Sequence, residues 1–308
     1  MIKKVLVIAG PTASGKTALA IALADRLAGE IVSADSMQIY RGMDIGTAKA
    51  TPSEQAQAVH HMIDILEPEE SYSVSRYVDD AAACCEGILS EGKLPVIAGG
   101  TGLYIDSLLS GRDFAENGSP ALREALSAEY DAVGGEEMLK ALASVDPERA
   151  GVLHPADKKR IVRALEIYRL TGVTITEHDR RTQALPPRYD AFRIVLDCED
   201  RQLLYDRINS RVDRMISDGL FDEVSALLER GVSPGCTSLQ AIGYKEAVLA
   251  LKGEISREEA AELIKMQSRR YAKRQLTWFG RWKNCLRVYT DRGCDTDTIY
   301  NEVCKWMK

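Results

Sequence analysis

Apolar positions along the chain fall into two rhythms. Val5 to Ala9 form a short unbroken apolar run rich in β-branched residues, the pattern of a strand buried on both faces. A Gly-bounded loop follows, and the Ala- and Leu-rich stretch from Thr17 to Leu27 predicts a helix. Further strands are predicted at Glu30–Ala34, ending at Asp35, at Leu94–Ala98, ending in Gly99-Gly-Thr-Gly102, and at Phe192–Asp197. Strands separated by helical stretches imply a parallel sheet, and such sheets bind ligands at the carboxyl ends of their strands. Loops 10–17, 35–38 and 99–104 are therefore expected to frame one site.

Between Asn117-Gly-Ser-Pro120 and Pro186-Pro187 the strand pattern is interrupted by helical periodicity. Residues 115–188 read as an inserted helical domain, and residues 1–114 and 189–308 as the core. Inside the insertion, Ile161, Leu165 and Tyr168 recur at helical spacing while Lys159, Arg160 and Arg163 fall on another face. Further on, Ser256 and Glu259 form a capping box. The helix it opens carries Arg269, Arg270, Lys273 and Arg274 as a second basic stripe. With Gly10-Pro-Thr-Ala-Ser-Gly-Lys-Thr17 as the loop after the first strand, the expected fold class is α/β, a P-loop NTPase-like parallel sheet flanked by helices, with an inserted smaller all-helical domain.

Composition narrows the picture. Apolar residues at 45% and charged residues at 28% of 308 describe a folded globular chain and exclude a disordered one. A net charge of −6 argues against a polyanionic partner, but eight Lys and Arg lie between Lys265 and Arg287 with no acid among them. Seven scattered cysteines without a C-x-x-C pair argue against a disulfide scaffold or zinc site, and for a reducing, cytoplasmic compartment. The run Val5–Ala9 is too short to span a membrane, so none is expected. Adjacent His60 and His61 read as packing or hydrogen-bonding residues, since only four histidines are present. A monomer is expected, because no heptad pattern is visible and two domains already enclose the site.

Gly10-Pro11-Thr12-Ala13-Ser14-Gly15-Lys16-Thr17 matches G-x-x-x-x-G-K-[ST] in full, between a strand and a helix. Backbone N–H groups of such a loop face phosphate oxygens, Lys16 meets the outer phosphate and Thr17 can ligate Mg2+. The motif specifies a diphosphate or triphosphate and is silent on what is attached. Taken alone it favours an ATP-binding kinase or NTPase. Asp35 has three open roles: a cap for the following helix, a Walker-B-like magnesium group, or a general base. Arg211 reads equally as a solvated helix residue.

The segment Asp35-Ser-Met-Gln-Ile-Tyr-Arg-Gly-Met-Asp-Ile-Gly-Thr-Ala-Lys49 resembles the one that follows the P-loop in tRNA dimethylallyltransferases, the IPP transferase family. His61-Met-Ile-Asp64, Gly99-Gly-Thr-Gly-Leu-Tyr104, His154-Pro with Lys159–Glu166, Gln240-Ala-Ile-Gly-Tyr-Lys245 and Arg274-Gln-Leu-Thr-Trp-Phe279 follow in the same order. The resemblance runs from Val5 to about Arg281. Pro52 lies later than the family pattern has it, in a loop. The resemblance implies that the P-loop holds dimethylallyl diphosphate, with Mg2+ at Thr17 through the diphosphate, and that Lys16, Thr17 and Arg211 assist its departure. Asp35 would act as the base toward the N6 amine of the adenosine 3′ of the anticodon, at position 37. That adenosine is flipped out of the anticodon stem-loop, which agrees with the need to unstack a base before modifying it. Asp35, Ser36, Met37, Gln38 and Thr101 would contact tRNA around the base. Arg123 and the segment Lys159, Arg160, Ile161, Val162, Arg163 would grip its backbone. The alternative, a P-loop small-molecule kinase, accounts for residues 10–17 and Asp35 but leaves the basic stripes and the insertion without a task. A non-catalytic RNA-binding P-loop protein would leave Asp35 merely structural.

Overall fold

The computed structural model describes residues 3–111 and 118–308. It divides into two compact units: a core from the chain up to Leu109 together with Tyr189–Lys308, and a helical unit Ser110–Arg188. The expected break between 114 and 115 lies outside the described residues.

The core is a parallel six-stranded sheet of β1 (Lys4–Ala9), β2 (Gly29–Ser33), β3 (His60–His61), β4 (Leu94–Gly99), β5 (Asp190–Asp197) and β6 (Leu286–Tyr289), in the order β3-β2-β4-β1-β5-β6. β1 lies between β4 and β5, which is why Val5 to Ala9 are wholly buried and show no polar alternation. On one face, helix Lys16–Arg26 and the C-terminal helix Thr296–Met307 pack Leu19, Leu23, Ile299 and Val303 against Leu6, Ile8, Ile31 and Val96. The stretch beyond Trp282, without a motif of its own, thus supplies β6 and a sheet-covering helix.

The two strands without a sequence signal are the edge strands. β3 has two residues and β6 is half-buried throughout, so neither shows an apolar run. His61 Nε2 lies 2.6 Å from a Glu30 carboxylate oxygen and His60 Nδ1 lies 2.8 Å from the Ala58 carbonyl, hydrogen bonds that tie β3 to its surroundings.

A second apolar cluster lies under residues 39–50. Ile39, Tyr40 and Met43 pack there against Phe221, Val224, Leu227, Tyr244, Val248 and Ile264. These come from helices Leu220–Glu229, Tyr244–Leu251 and Arg257–Phe279. The last of these helices opens with the expected capping box, Ser256 N donating to Glu259 and Glu259 N to Ser256 Oγ, at 2.8 and 3.0 Å.

The helical unit holds helices Pro120–Val133, Gly135–Ala143, Lys158–Thr171 and Ile175–Gln183 around Leu126, Met138, Leu142, Ile161, Val162 and Leu165. Ile161 and Val162, grouped above with the tRNA-gripping residues, are 0% and 4% exposed, so their side chains are core. The fully buried Glu166 carboxylate receives Arg123 through Nε and Nη2, each at 3.1 Å, and Arg163 Nη1 at 2.9 Å. An unpaired carboxylate there would be strongly destabilising, so Arg123 and Arg163 are partly committed inside the unit. Lys159 and Arg160 are the exposed cations of this helix start.

Candidate active site

The loop after β1 is shaped by Gly15, whose φ of 85° would strain any side chain. Gly15 is also the N-cap of helix Lys16–Arg26, and no side chain caps that helix start, so its first N–H groups remain open to an anion. Ser14 Oγ donates to the Pro11 carbonyl at 2.8 Å and Lys16 Nζ to the same oxygen at 2.6 Å, holding the loop closed around its lysine. Ala13 has φ 61°, a left-handed conformation of the kind that concentrates at functional sites.

The three expected loops meet. Ser36 N donates to Thr101 Oγ1 at 3.2 Å, and Thr101 N to the Ala34 carbonyl at 3.1 Å. Gln275, buried in helix Arg257–Phe279, joins the other two: its Oε1 accepts Thr12 N–H at 2.8 Å and its Nε2 donates to the Gly100 carbonyl at 3.0 Å. Asp35 Oδ1 accepts the Met37 N–H at 2.9 Å. No helix directly follows Asp35, so the helix cap expected from the sequence is absent, and the carboxylate caps a turn instead by accepting one hydrogen bond on one oxygen.

Charge converges on the same place. Burial and the neighbouring Arg211 guanidinium push the Lys16 ammonium down to about 7, with Asp35 pulling the other way. Arg211, on helix Arg201–Ser217, is itself lowered by burial and by Arg214, again opposed by Asp35. Tyr271, which hydrogen-bonds Thr101 and Gln275, is pushed up to about 12 by burial and the Asp35 charge, so its hydroxyl stays protonated at neutral pH. Two basic side chains crowded together at a desolvated site are stabilised by an anion, and the open helix start points to the same ligand class.

Of the sequence-predicted residues, Gly10 to Thr17, Asp35, Ser36, Thr101 and Arg211 are brought together in the core. Met37 and Gln38 continue the same loop, while Arg123, Lys159, Arg160 and Arg163 belong to the helical unit. Tyr271 and Arg214 lie outside the sequence motifs, and Gln275 lies inside one, Arg274–Phe279, without a role read from it. Tyr271, Gln275 and Phe279 lie four residues apart on the inward face of their helix, a periodicity in which a Gln stands out. The basic stripe is weaker than its count. Lys265 pairs with Asp213 and Glu262 at 2.8 and 3.0 Å, Arg269 bonds Asn209 at 2.6 Å and Arg287 pairs with Asp197 at 2.9 Å. Arg270, Lys273, Arg274, Arg281 and Lys283 remain as the exposed cations.

Gln275→Leu leaves the Thr12 N–H and Gly100 carbonyl without this partner. A lost buried partner costs about 1–3 kcal/mol. Thermal melting is expected to fall, with a raised KM for the phosphate-bearing substrate. Unchanged melting and KM would show that the amide does not organise the loops.

The IPP transferase family model matches residues 38–282, and the isopentenyl transferase model matches residues 3–64. The chain is 48% identical over 306 residues to the tRNA dimethylallyltransferase of Thermoanaerobacter sp. (strain X514), covering 99% of this chain and 97% of that protein. It is 45% identical to that of Pelotomaculum thermopropionicum, covering 97% of this chain and 95% of that protein. Among solved structures, the full-length tRNA isopentenylpyrophosphate transferase of Bacillus halodurans aligns with TM-score 0.72 at 41% identity, over 98% of this chain and 96% of that one. A eukaryotic dimethylallyltransferase acting on tRNA aligns with TM-score 0.83 at 28% identity, over 98% of this chain and 78% of that one. With a match across most of its length and relatives near half identity over nearly all of it, the chain belongs to the IPP transferase family.

Proposed function

We propose that the chain transfers a dimethylallyl group from dimethylallyl diphosphate to the N6 amine of the adenosine at position 37, 3′ of the tRNA anticodon, releasing diphosphate. The observation that carries this reading is that the Asp35 charge acts on both Lys16 and Arg211, with Thr101 hydrogen-bonded to the next residue, Ser36. The cations and the helix start bind the diphosphate and stabilise charge that grows as the allylic C–O bond breaks. The adenine amine is a weak nucleophile because its lone pair is delocalised into the ring. As the C–N bond forms, its proton passes to the Asp35 carboxylate. Met37 packs partly against the apolar cluster and the Gln38 amide is taken up by Ser33, Thr47 and Ala48, so the base is met by the loop these residues hold, with the tRNA backbone met by exposed cations such as Lys159 and Arg160.

Magnesium fits this donor set. No cluster of three His, Cys, Asp or Glu side chains among the described residues could cage a metal. The Thr17 hydroxyl instead offers one oxygen, and the diphosphate and water would supply the rest. Bound there, the ion would neutralise charge on the departing diphosphate. The cysteines are unpaired among the described residues and no helix there is long and apolar enough to cross a membrane. We take the enzyme to act as a monomer in a reducing, cytoplasmic compartment.

Binding of the donor should take up a proton. With Lys16 near 7, most of it is neutral at pH 8 in the free enzyme, and a bound diphosphate favours its charged form. Titration calorimetry at pH 8 in buffers of different ionisation enthalpy is expected to show uptake approaching one proton, falling toward zero at pH 6. Equal uptake at both pH values would contradict the Lys16 assignment. The function itself is tested by diphosphate release that requires both tRNA and dimethylallyl diphosphate and no ATP. ATP consumption with a small metabolite, and no release from the prenyl donor, would overturn it.

A further inference from the structure

Residues 36–50 lead from the loop after Asp35 into a turn that is held from outside by one carboxylate. Glu223, in the first turn of helix Leu220–Glu229, accepts the backbone N–H groups of Asp44 and Ile45 on Oε2, both at 2.8 Å. Its Oε1 accepts the Gly46 N–H at 3.2 Å and the Tyr244 hydroxyl at 2.6 Å. A carboxylate offers about four acceptor sites, so this side chain is saturated by a single turn and the phenol behind it. The turn also closes on itself, with Ala48 N bonded to the Ile45 carbonyl and Lys49 N to the Asp44 carbonyl, each at 3.0 Å. At its far end the buried Lys49 ammonium is shared between Asp44, Asp64 and the Tyr40 carbonyl, at 2.5, 2.5 and 2.8 Å.

The turn reaches the site through Gln38. The Gln38 amide donates to the Thr47 and Ala48 carbonyls at 3.4 and 3.2 Å, while its Oε1 accepts the Ser33 hydroxyl, at the end of β2, at 3.2 Å. Ala48 has φ 44°, a left-handed conformation that persists only where the surroundings over-determine it. The turn also rests directly on the Tyr244 ring: a Cβ on Gly46 would stand 2.4 Å from its Cε2.

We propose that Glu223 is a positioning residue for prenyl transfer, holding turn 43–49 so that Gln38 and Asp35 keep their register with the P-loop. It touches no substrate, and the proposal rests on the prenyl-transfer reading above. The test measures tRNA prenylation by Glu223→Gln, which keeps the size but replaces an acceptor oxygen with an NH2 group facing the donors. Rates are divided by the concentration of donor-binding sites found by titration with dimethylallyl diphosphate. Expected is a kcat per site lowered about 10- to 100-fold, the scale of a misplaced reacting group, with KM for dimethylallyl diphosphate unchanged. A merely structural role would lower the number of binding sites and leave kcat per site as it was. Gly46→Ala, which pushes the same turn off Tyr244, is expected to show the same split and decides the matter if Glu223→Gln does not fold. A wild-type kcat per site in the folded variants overturns this proposal alone, whereas absence of prenylation by the unaltered chain overturns it together with the function it rests on.

Discussion

Asp35→Asn is expected to lower kcat for tRNA prenylation by about 10²- to 10⁴-fold, the usual share of a general base, while the affinities for tRNA and dimethylallyl diphosphate stay close to wild type. The choice of asparagine matters because Asp35 does two things. One carboxylate oxygen accepts the Met37 N–H, and an amide oxygen can take its place, so the turn entering residues 36–38 survives the substitution. What the amide cannot do is accept the adenine proton. Asp35→Ala would mix loss of the turn with loss of the base and could not separate the roles. Single-turnover rates together with equilibrium binding check the prediction. A rate within tenfold of wild type would remove Asp35 from the chemistry and leave it as a turn cap.

Lys16→Met is expected to do two opposite things. Loss of a preorganised donor to developing charge lowers kcat by about 10²- to 10³-fold. Stability, however, should rise. The folded-state value of Lys16 lies near 7, below its ordinary 10.5. Below pH 7 the folded chain must therefore hold a desolvated charge that the unfolded chain holds in water. That penalty is fully present below pH 7 and is relieved as pH rises from 7 toward 10.5, because the unfolded chain there binds the extra proton. The gain in melting temperature on substitution is accordingly expected to be largest at pH 6 and to shrink by pH 9. A functional site that is strained until its ligand arrives behaves in this way. A variant that loses stability at pH 6 would show that the lysine supports the loop instead.

Where one residue type could satisfy a local physical demand, the sequence was readable. The run Val5–Ala9 has no polar alternation because β1 is covered on both faces, and the glycines and lysine after it have few other uses in that context. The meeting of loops 10–17, 35–38 and 99–104 followed from parallel topology alone, and the hydrogen bonds from Ser36 to Thr101, from Thr12 to Gln275 and from Gln275 to Gly100 bear it out. Short edge strands escaped because a strand of two residues, or one half-buried like Leu286–Tyr289, carries no periodic signal. Charge was the least legible feature. Counting cations along Lys265–Arg287 ignores acids that arrive from distant segments, such as Asp213 beside Lys265 and Asp197 beside Arg287. Arg123 likewise meets the buried Glu166 from a different helix, whereas Arg163 meets it within its own helix, three residues on. Glu223, whose carboxylate holds the turn at residues 44–46, has no sequence signature, since a first-turn glutamate of a helix has an ordinary explanation in the helix dipole.

The most direct measurement is to incubate the chain with labelled dimethylallyl diphosphate, magnesium and unmodified tRNA, digest the RNA, and locate the label, in parallel with tRNA whose position-37 adenosine is replaced by guanosine. Label confined to one nucleotide, the adenosine 3′ of the anticodon, and absent from the replaced tRNA, is the predicted result. Label that survives the replacement, or no label while ATP is hydrolysed, would contradict it.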